Sequence, residues 1–157
     1  MIRPATPADL EPVLRVQEEA SRELFAAVFV GEHPPPTDAV RERWRREFTA
    51  KPESFVVAEE GEVVAVAIVA PPWIHALHVL PAWWGKGVAS ELHRFALHQV
   101  AAAGEQEALI RVWAQNARAR RFWEKHGWTQ LEWTERAQDP PHPEIVLYMK
   151  DLGDVPE

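Results

Sequence analysis

Residues 73–114 constrain the fold more than any other part of the chain. WIHALHVL is a β-rich run, PAWWGKG interrupts it, VASELHRFALHQVAAAG repeats apolar residues at helical spacing, and ALIRVWA is strand-like again. A strand–helix–strand unit of this length joins parallel neighbours through a right-handed crossover. The fold therefore needs a sheet with at least one parallel pair and a helix lying across it. In that helix Leu92, Phe95, Ala96, Gln99 and Val100 share a face, and Gly104 ends it.

The flanking segments add antiparallel strands. SFVVAEEGEVVAVAIVA, residues 54–70, sets two β-rich runs around Glu60-Gly61, a hairpin signal. Ile2 and Arg3 form a short edge strand before Pro4. WTQLEW (128–133) and EIVLYMKDL (144–152) are the last strands, joined by AQDPPHP. The first helix opens with Thr6 as cap, Pro7 at its first position and Asp9 at capping-box spacing. Leu10, Val13, Leu14, Gln17, Ser21, Leu24, Phe25 and Val28 then recur at helical spacing, until GEHPPP (31–36) stops them. TDAVRERWRREFTA restarts a helix with Thr37 or Asp38 as cap. NARARRFWEKHG, 116–127, is a short helix capped by Asn116 and closed by Gly127. The order is β-α-α-β-β-β-α-β-α-β-β. This is an α/β (α+β) chain with a mixed, mainly antiparallel sheet and helices on both faces. No linker or repeat divides it, so we expect one domain over 1–157.

Composition narrows the function classes. The net charge of −7 and the lack of a basic excess argue against nucleic acid. The absence of cysteine excludes disulfides, thiolate metal sites and a cysteine nucleophile. No apolar run approaches the roughly 20 residues that span a bilayer, and MIRPATPADL is not a signal peptide. A soluble, cytoplasmic protein is expected. The histidines do not form a metal pattern: His75 and His78 lie three apart on a strand, and His93 and His98 five apart on a helix. No metal is expected. Eight tryptophans leave room for an exposed aromatic patch, for a homodimer or for an apolar acceptor.

The glycines of PAWWGKGVAS precede a helix, whose first turn offers unpaired N–H groups and the positive end of the dipole. Gly85, Gly87 and Ala89 keep that end accessible to an anion such as a pyrophosphate. The same glycines also fit a simple tight turn.

ALHVLPAWWGKGVASELHRFAL resembles the central motif of the GNAT-type acetyl-CoA-dependent N-acetyltransferases, Q/R-x-x-G-x-G/A between strand and helix. The match is Trp84-Gly85-Lys86-Gly87-Val88-Ala89. LIRVWAQNARARRFWEKHGW resembles the family's second motif, a strand, then Asn, then a helix ending in F-Y-E-x-x-G-F. The element order is the family's as well. The resemblance implies acetyl transfer from acetyl-CoA to a primary amine by direct attack in a ternary complex. It implies a pyrophosphate on the N–H groups of Gly85, Lys86, Gly87, Val88, Ala89 and Ser90. It further implies a pantetheine arm along Leu77, His78 and Val79, in a gap between splayed strands at 74–80 and 108–114. Asn116, Ala119, Phe122 and Trp123 would line the far side, and the Val79 N–H would polarise the thioester.

Three positions depart from that pattern. Trp84 replaces the usual Gln or Arg, and either packs over the ligand or shields the loop. Trp123 replaces a tyrosine that serves many members as general acid, and an indole N–H is a very poor acid. Arg111 stands where some members carry a basic Glu. The remaining candidates are His75, which strand alternation puts on the face of Leu77 and Val79 and opposite His78, and Tyr148, the only tyrosine. Glu32, His33, His142 and Glu144 lie in or beside the loops that border the family's acceptor groove. Arg120 and Arg121 are candidate phosphate contacts. Loss of the tyrosine also fits a different class, a CoA-binding regulatory module without turnover.

Overall fold

The computed structural model describes residues 1–154; positions 155–157 of the expected domain lie outside them. Seven strands and four helices alternate in the expected order. They are β1 (Ile2–Pro4), α1 (Leu10–Val28), α2 (Thr37–Ala50), β2 (Phe55–Glu59), β3 (Val63–Ala70), β4 (Trp73–Val79), α3 (Val88–Ala102), β5 (Glu107–Trp113), α4 (Ala117–Lys125), β6 (Thr129–Arg136) and β7 (Glu144–Asp151). The sheet order is β1-β2-β3-β4-β5-β7-β6. Every pairing is antiparallel except β4 with β5. The mixed, mainly antiparallel sheet read from the sequence is therefore the one that forms.

Local chemistry accounts for the element ends. Asp9 accepts the Thr6 N–H at 2.7 Å and two guanidinium bonds from Arg3 at 2.8 and 3.0 Å, which ties β1 to the start of α1. The Arg3 guanidinium holds the Asp9 carboxyl below the usual carboxylate range. At α2 the expected cap is displaced. Pro36 takes the cap position and Thr37 and Asp38 fall in the first turn, with no side chain capping it. The proline ring already restricts φ at that entry.

Strand β3 is buried at every position from Val63 to Val69, on both faces. This requires helices above and below it. On one face α1 packs with α2, and Trp44 of α2 reaches the His78 ring of β4 at 5.5 Å. On the other, α3 and α4 meet through His93, whose ring lies 5.6 Å from both Phe122 and Trp123. Leu92, Ala96 and Val100 of α3 are buried, as their shared face predicts. Trp44 is a core residue, whereas Trp133 on β6 is 61% exposed.

Candidate functional site

A single register pair, Trp73 with Leu109, joins β4 to β5. Beyond it the strands splay, as the sequence resemblance implies. Leu80 N–H donates to Val64 O at 2.8 Å, and Val79 stands opposite Ala65. In an antiparallel ladder the bonded direction alternates, so Val79 and Leu77 turn their N–H and C=O groups away from β3, into the gap. A cleft of about 340 Å³ opens there, with Leu77, His78 and Val79 as its floor. Ala20, Glu23, Leu24 and Ala27 of α1 form one wall, and Asn116, Ala119, Phe122 and Trp123 belong to the other. Of this wall the sequence reading named only Leu24, as part of the apolar stripe; Ala20, Glu23 and Ala27 were missed, although with Leu24 they follow the i, i+3, i+4, i+7 spacing of one helix face.

The glycine turn stands at the end of β4. Gly85 and Gly87 take φ of 77° and 85°, and a Cβ on either would meet nothing within 4 Å. These glycines serve backbone conformation and open space rather than packing. Gly87 is the N-cap of α3 and brings no side-chain acceptor. Among the described residues the first N–H of this turn to find a partner is that of Glu91, on Gly87 O at 3.1 Å. The N–H groups of Val88, Ala89 and Ser90 are left for another acceptor. Ala89 lines the cleft, while the Val88 side chain is core and leaves only its backbone. Lys86 extends over the Trp83 ring at 5.0 Å. Ser90 is committed elsewhere. His126 Nδ1 lies 2.8 Å from Phe122 O, which can only accept, so Nδ1 carries the hydrogen and the Ser90 hydroxyl donates to Nε2 at 3.2 Å.

Trp84 has two contacts that the sequence did not disclose. Its indole N–H donates to Val79 O at 2.8 Å, fastening the turn to the strand. The Arg118 guanidinium lies 3.8 Å above its ring, a cation–π contact at the cleft wall.

On α4 the Asn116 side chain accepts the Ala119 N–H at 3.1 Å, the expected cap. Trp123 is 4% exposed and packs 5.1 Å from the Trp128 ring. Arg121 lines the cleft but Arg120 does not. Arg120 donates to Tyr148 Oη (3.1 Å), Ala114 O (3.1 Å) and Gln130 Oε1 (3.0 Å). Tyr148 donates to Glu124 Oε2 at 2.6 Å. Tyr148 pairs with Ile110 across β7 and β5, on the sheet face that α4 covers, so the phenol is sealed behind α4 instead of facing the cleft. Burial and the Glu124 bond raise its pKa. Tyr148 as an acid in the cleft, and Arg120 as a phosphate contact, are corrected accordingly.

His75 is a further correction. The β3–β4 register pairs Val69 with Ile74 but Ile68 with Ala76, so His75 is an extra residue in a β-bulge. The bulge resets the alternation. Paired residues share a face, so Ile74 joins Leu77 and Val79, while Trp73, Ala76 and His78 face α1 and α2. The His75 ring stacks on Trp73 at 6.0 Å and 9°, not over the floor of the cleft. Burial and the nearby Arg111 lower its pKa. Arg111 itself lies over Trp73 at 3.9 Å and bonds Glu135. His78 does line the cleft, and burial lowers its pKa to about 4, so the ring is neutral at pH 7. Of the loop candidates, Glu32, His33, His142 and Glu144 are absent from the cleft walls. His142 Nδ1 sits 3.1 Å from Ala137 O, and Glu144 O accepts the Ala114 N–H. Among the described residues no cluster of three or more metal-ligating side chains occurs, and no helix is long and apolar enough to cross a membrane.

The sequence pattern of the Acetyltransferase (GNAT) family matches residues 16–128. The structure is similar to a GCN5-related N-acetyltransferase from Rhodopseudomonas palustris, at 18% identity and a TM-score of 0.74 over 96% of this chain and 94% of that one. It is similar to an N-acetyltransferase from Staphylococcus aureus Mu50 (22%, 0.71, 97% and 98%). It also resembles the PaiA N-acetyltransferase of Thermoplasma acidophilum, whose structure is a complex with coenzyme A (18%, 0.65, 94% and 96%). No curated protein matches the chain.

Proposed function

The chain belongs to the GNAT acetyltransferase family, and from that premise we propose that it transfers an acetyl group from acetyl-CoA to a primary amine, both substrates being bound together. One observation carries this reading: the unpaired edge of β4 leads directly to an uncapped helix N-terminus. The residues fit the donor. The N–H groups of Val88, Ala89 and Ser90, with the α3 dipole behind them, would hold the pyrophosphate. Arg118 and Arg121 add positive charge at the cleft wall. Leu77 and Val79 offer backbone groups for an added strand. Because Trp84 already occupies Val79 O, the Val79 N–H and both Leu77 groups are the ones open to the arm. The donor supplies a thioester already activated for acyl transfer. The protein's part is to orient it, to polarise its carbonyl from a backbone N–H, and to exclude water between α1 and α4.

A second reading rests on a different observation. Trp123 is buried and carries no acid, and the only phenol of the chain is sealed behind α4. A CoA-binding module without turnover fits that. Titration calorimetry with acetyl-CoA tests the shared claim: saturable binding is expected, and its absence refutes both. Thiol release over a panel of primary amines then separates them. Release above the rate of hydrolysis supports transfer, and binding without release supports the module.

A further inference from the structure

The α1 wall of the cleft is built from Ala20, Glu23, Leu24 and Ala27, a stripe at i, i+3, i+4 and i+7. Three of these are small or apolar. Glu23 is the only acidic side chain in the cleft wall, and it joins no ion pair among the described residues. The alanines one turn either side of it leave room above the helix surface. The other ionisable groups lining the cleft are Arg118 and Arg121 from α4 and His78 from β4. The two arginines suit the anionic donor. His78 is pressed against Trp44 and is neutral. His75 sits on the bulge and Tyr148 behind α4. An ammonium entering this cleft thus meets one carboxylate.

We infer that Glu23 receives the acceptor's ammonium group and takes its proton, so that the acceptor is a cationic primary amine delivered against α1. The inference rests on the acetyl-transfer reading above. In the step, R–NH3⁺ gives one proton to the Glu23 carboxylate. The freed lone pair forms the N–C bond to the thioester carbonyl, and the C–S bond breaks. The second nitrogen proton leaves with the thiolate as the thiol, so the products are the N-acetyl amine, CoA thiol and protonated Glu23. The arrangement of α1 and α4 across β4 sets the order of recognition, with phosphates on the basic wall and the amine on the acidic one.

The test uses Glu23→Gln, Glu23→Ala and Glu23→Asp in the full chain. Acetyl-CoA affinity is measured by calorimetry, and thiol release with benzylamine, putrescine, spermidine, L-lysine and a tripeptide with a free α-amino group. For the amine that the wild type accepts best, Glu23→Gln and Glu23→Ala should lower kcat/KM by at least about 100-fold, the lower end of general-base contributions. Glu23→Asp should recover part of the loss. Acetyl-CoA affinity should stay within about twofold of wild type while kcat/KM falls, a split that a merely structural glutamate would not give. Retention of kcat/KM within about threefold in Glu23→Gln overturns the assignment. Wild-type protein that binds acetyl-CoA but accepts none of these amines also overturns it, leaving the cleft reading intact. Failure to bind acetyl-CoA overturns both.

Discussion

Two glycines at opposite ends of α3 separate backbone strain from ligand contact. Gly87 precedes the helix with φ 85°, Gly104 follows it with φ 90°, and an added Cβ meets nothing within 4 Å at either. Gly87→Ala and Gly104→Ala therefore share one cost, the left-handed conformation, at about 1–2 kcal/mol for an L-residue. The stiffer unfolded chain offsets part of it, leaving each variant about 1 kcal/mol less stable. Urea unfolding reads that directly, and in a domain of this size the melting temperature falls by about 2–4 °C. Acetyl-CoA affinity should then distinguish the pair. The open space at Gly87 borders the N–H groups of Val88, Ala89 and Ser90, so a methyl there obstructs only a ligand. Gly87→Ala should weaken binding at least tenfold, about 1.4 kcal/mol, while Gly104→Ala leaves it unchanged. Equal affinities in the two variants would refute the phosphate cradle, and unequal stabilities would refute the strain estimate.

Tyr148→Phe removes the Glu124 and Arg120 bonds and should cost about 1–2 kcal/mol in unfolding, yet leave thiol release within about twofold, since the phenol lies outside the cleft. Trp84→Phe deletes the donor to Val79 O and should lower stability by about 1 kcal/mol in denaturant titration. Burial first, then His126 and Lys150, hold His93 at about 3, below its unfolded value. Its contribution is complete above about pH 6.5 and is lost as pH falls toward 3, with a limiting slope of about 1.4 kcal/mol per pH unit. His93→Gln, which keeps an acceptor for the Trp128 N–H, should flatten the stability profile between pH 4 and 6; an unchanged slope would exclude His93 as its source.

Much of the frame was legible because its signals are local. Glu60-Gly61 announced the β2–β3 hairpin, Asn116 capped α4, and the spacing of Leu92, Ala96 and Val100 gave the buried face of α3. The Gly85–Gly87 turn fell between strand and helix because two positive-φ residues can end one element and begin the next. The failures at the site share one cause, the placement of elements relative to each other, whereas the displaced cap of α2 is a local one. His75 was assigned a face by strict alternation, and nothing in WIHALHVL announces a bulge that depends on the β3 register. The strand parity of Tyr148 was readable, but the covering of that face by α4 was not. Glu23 and Arg118 went unremarked because nothing local distinguishes them; only the placing of α1, the turn and α4 around one gap puts them in its walls.

The lone pairing of Trp73 with Leu109 divides the sheet into a panel of four strands, β1 to β4, and a panel of three, β5, β7 and β6. Each panel is laced internally, yet little backbone bonding crosses between them. Amide exchange should accordingly fall into two protection classes, with the Leu77 and Val79 amides unprotected at the seam despite lying in the middle of the sheet. An extended ligand bonded along that seam would slow both amides and join the panels into one cooperative unit, so the molecule gains its last interior rung from outside its own chain.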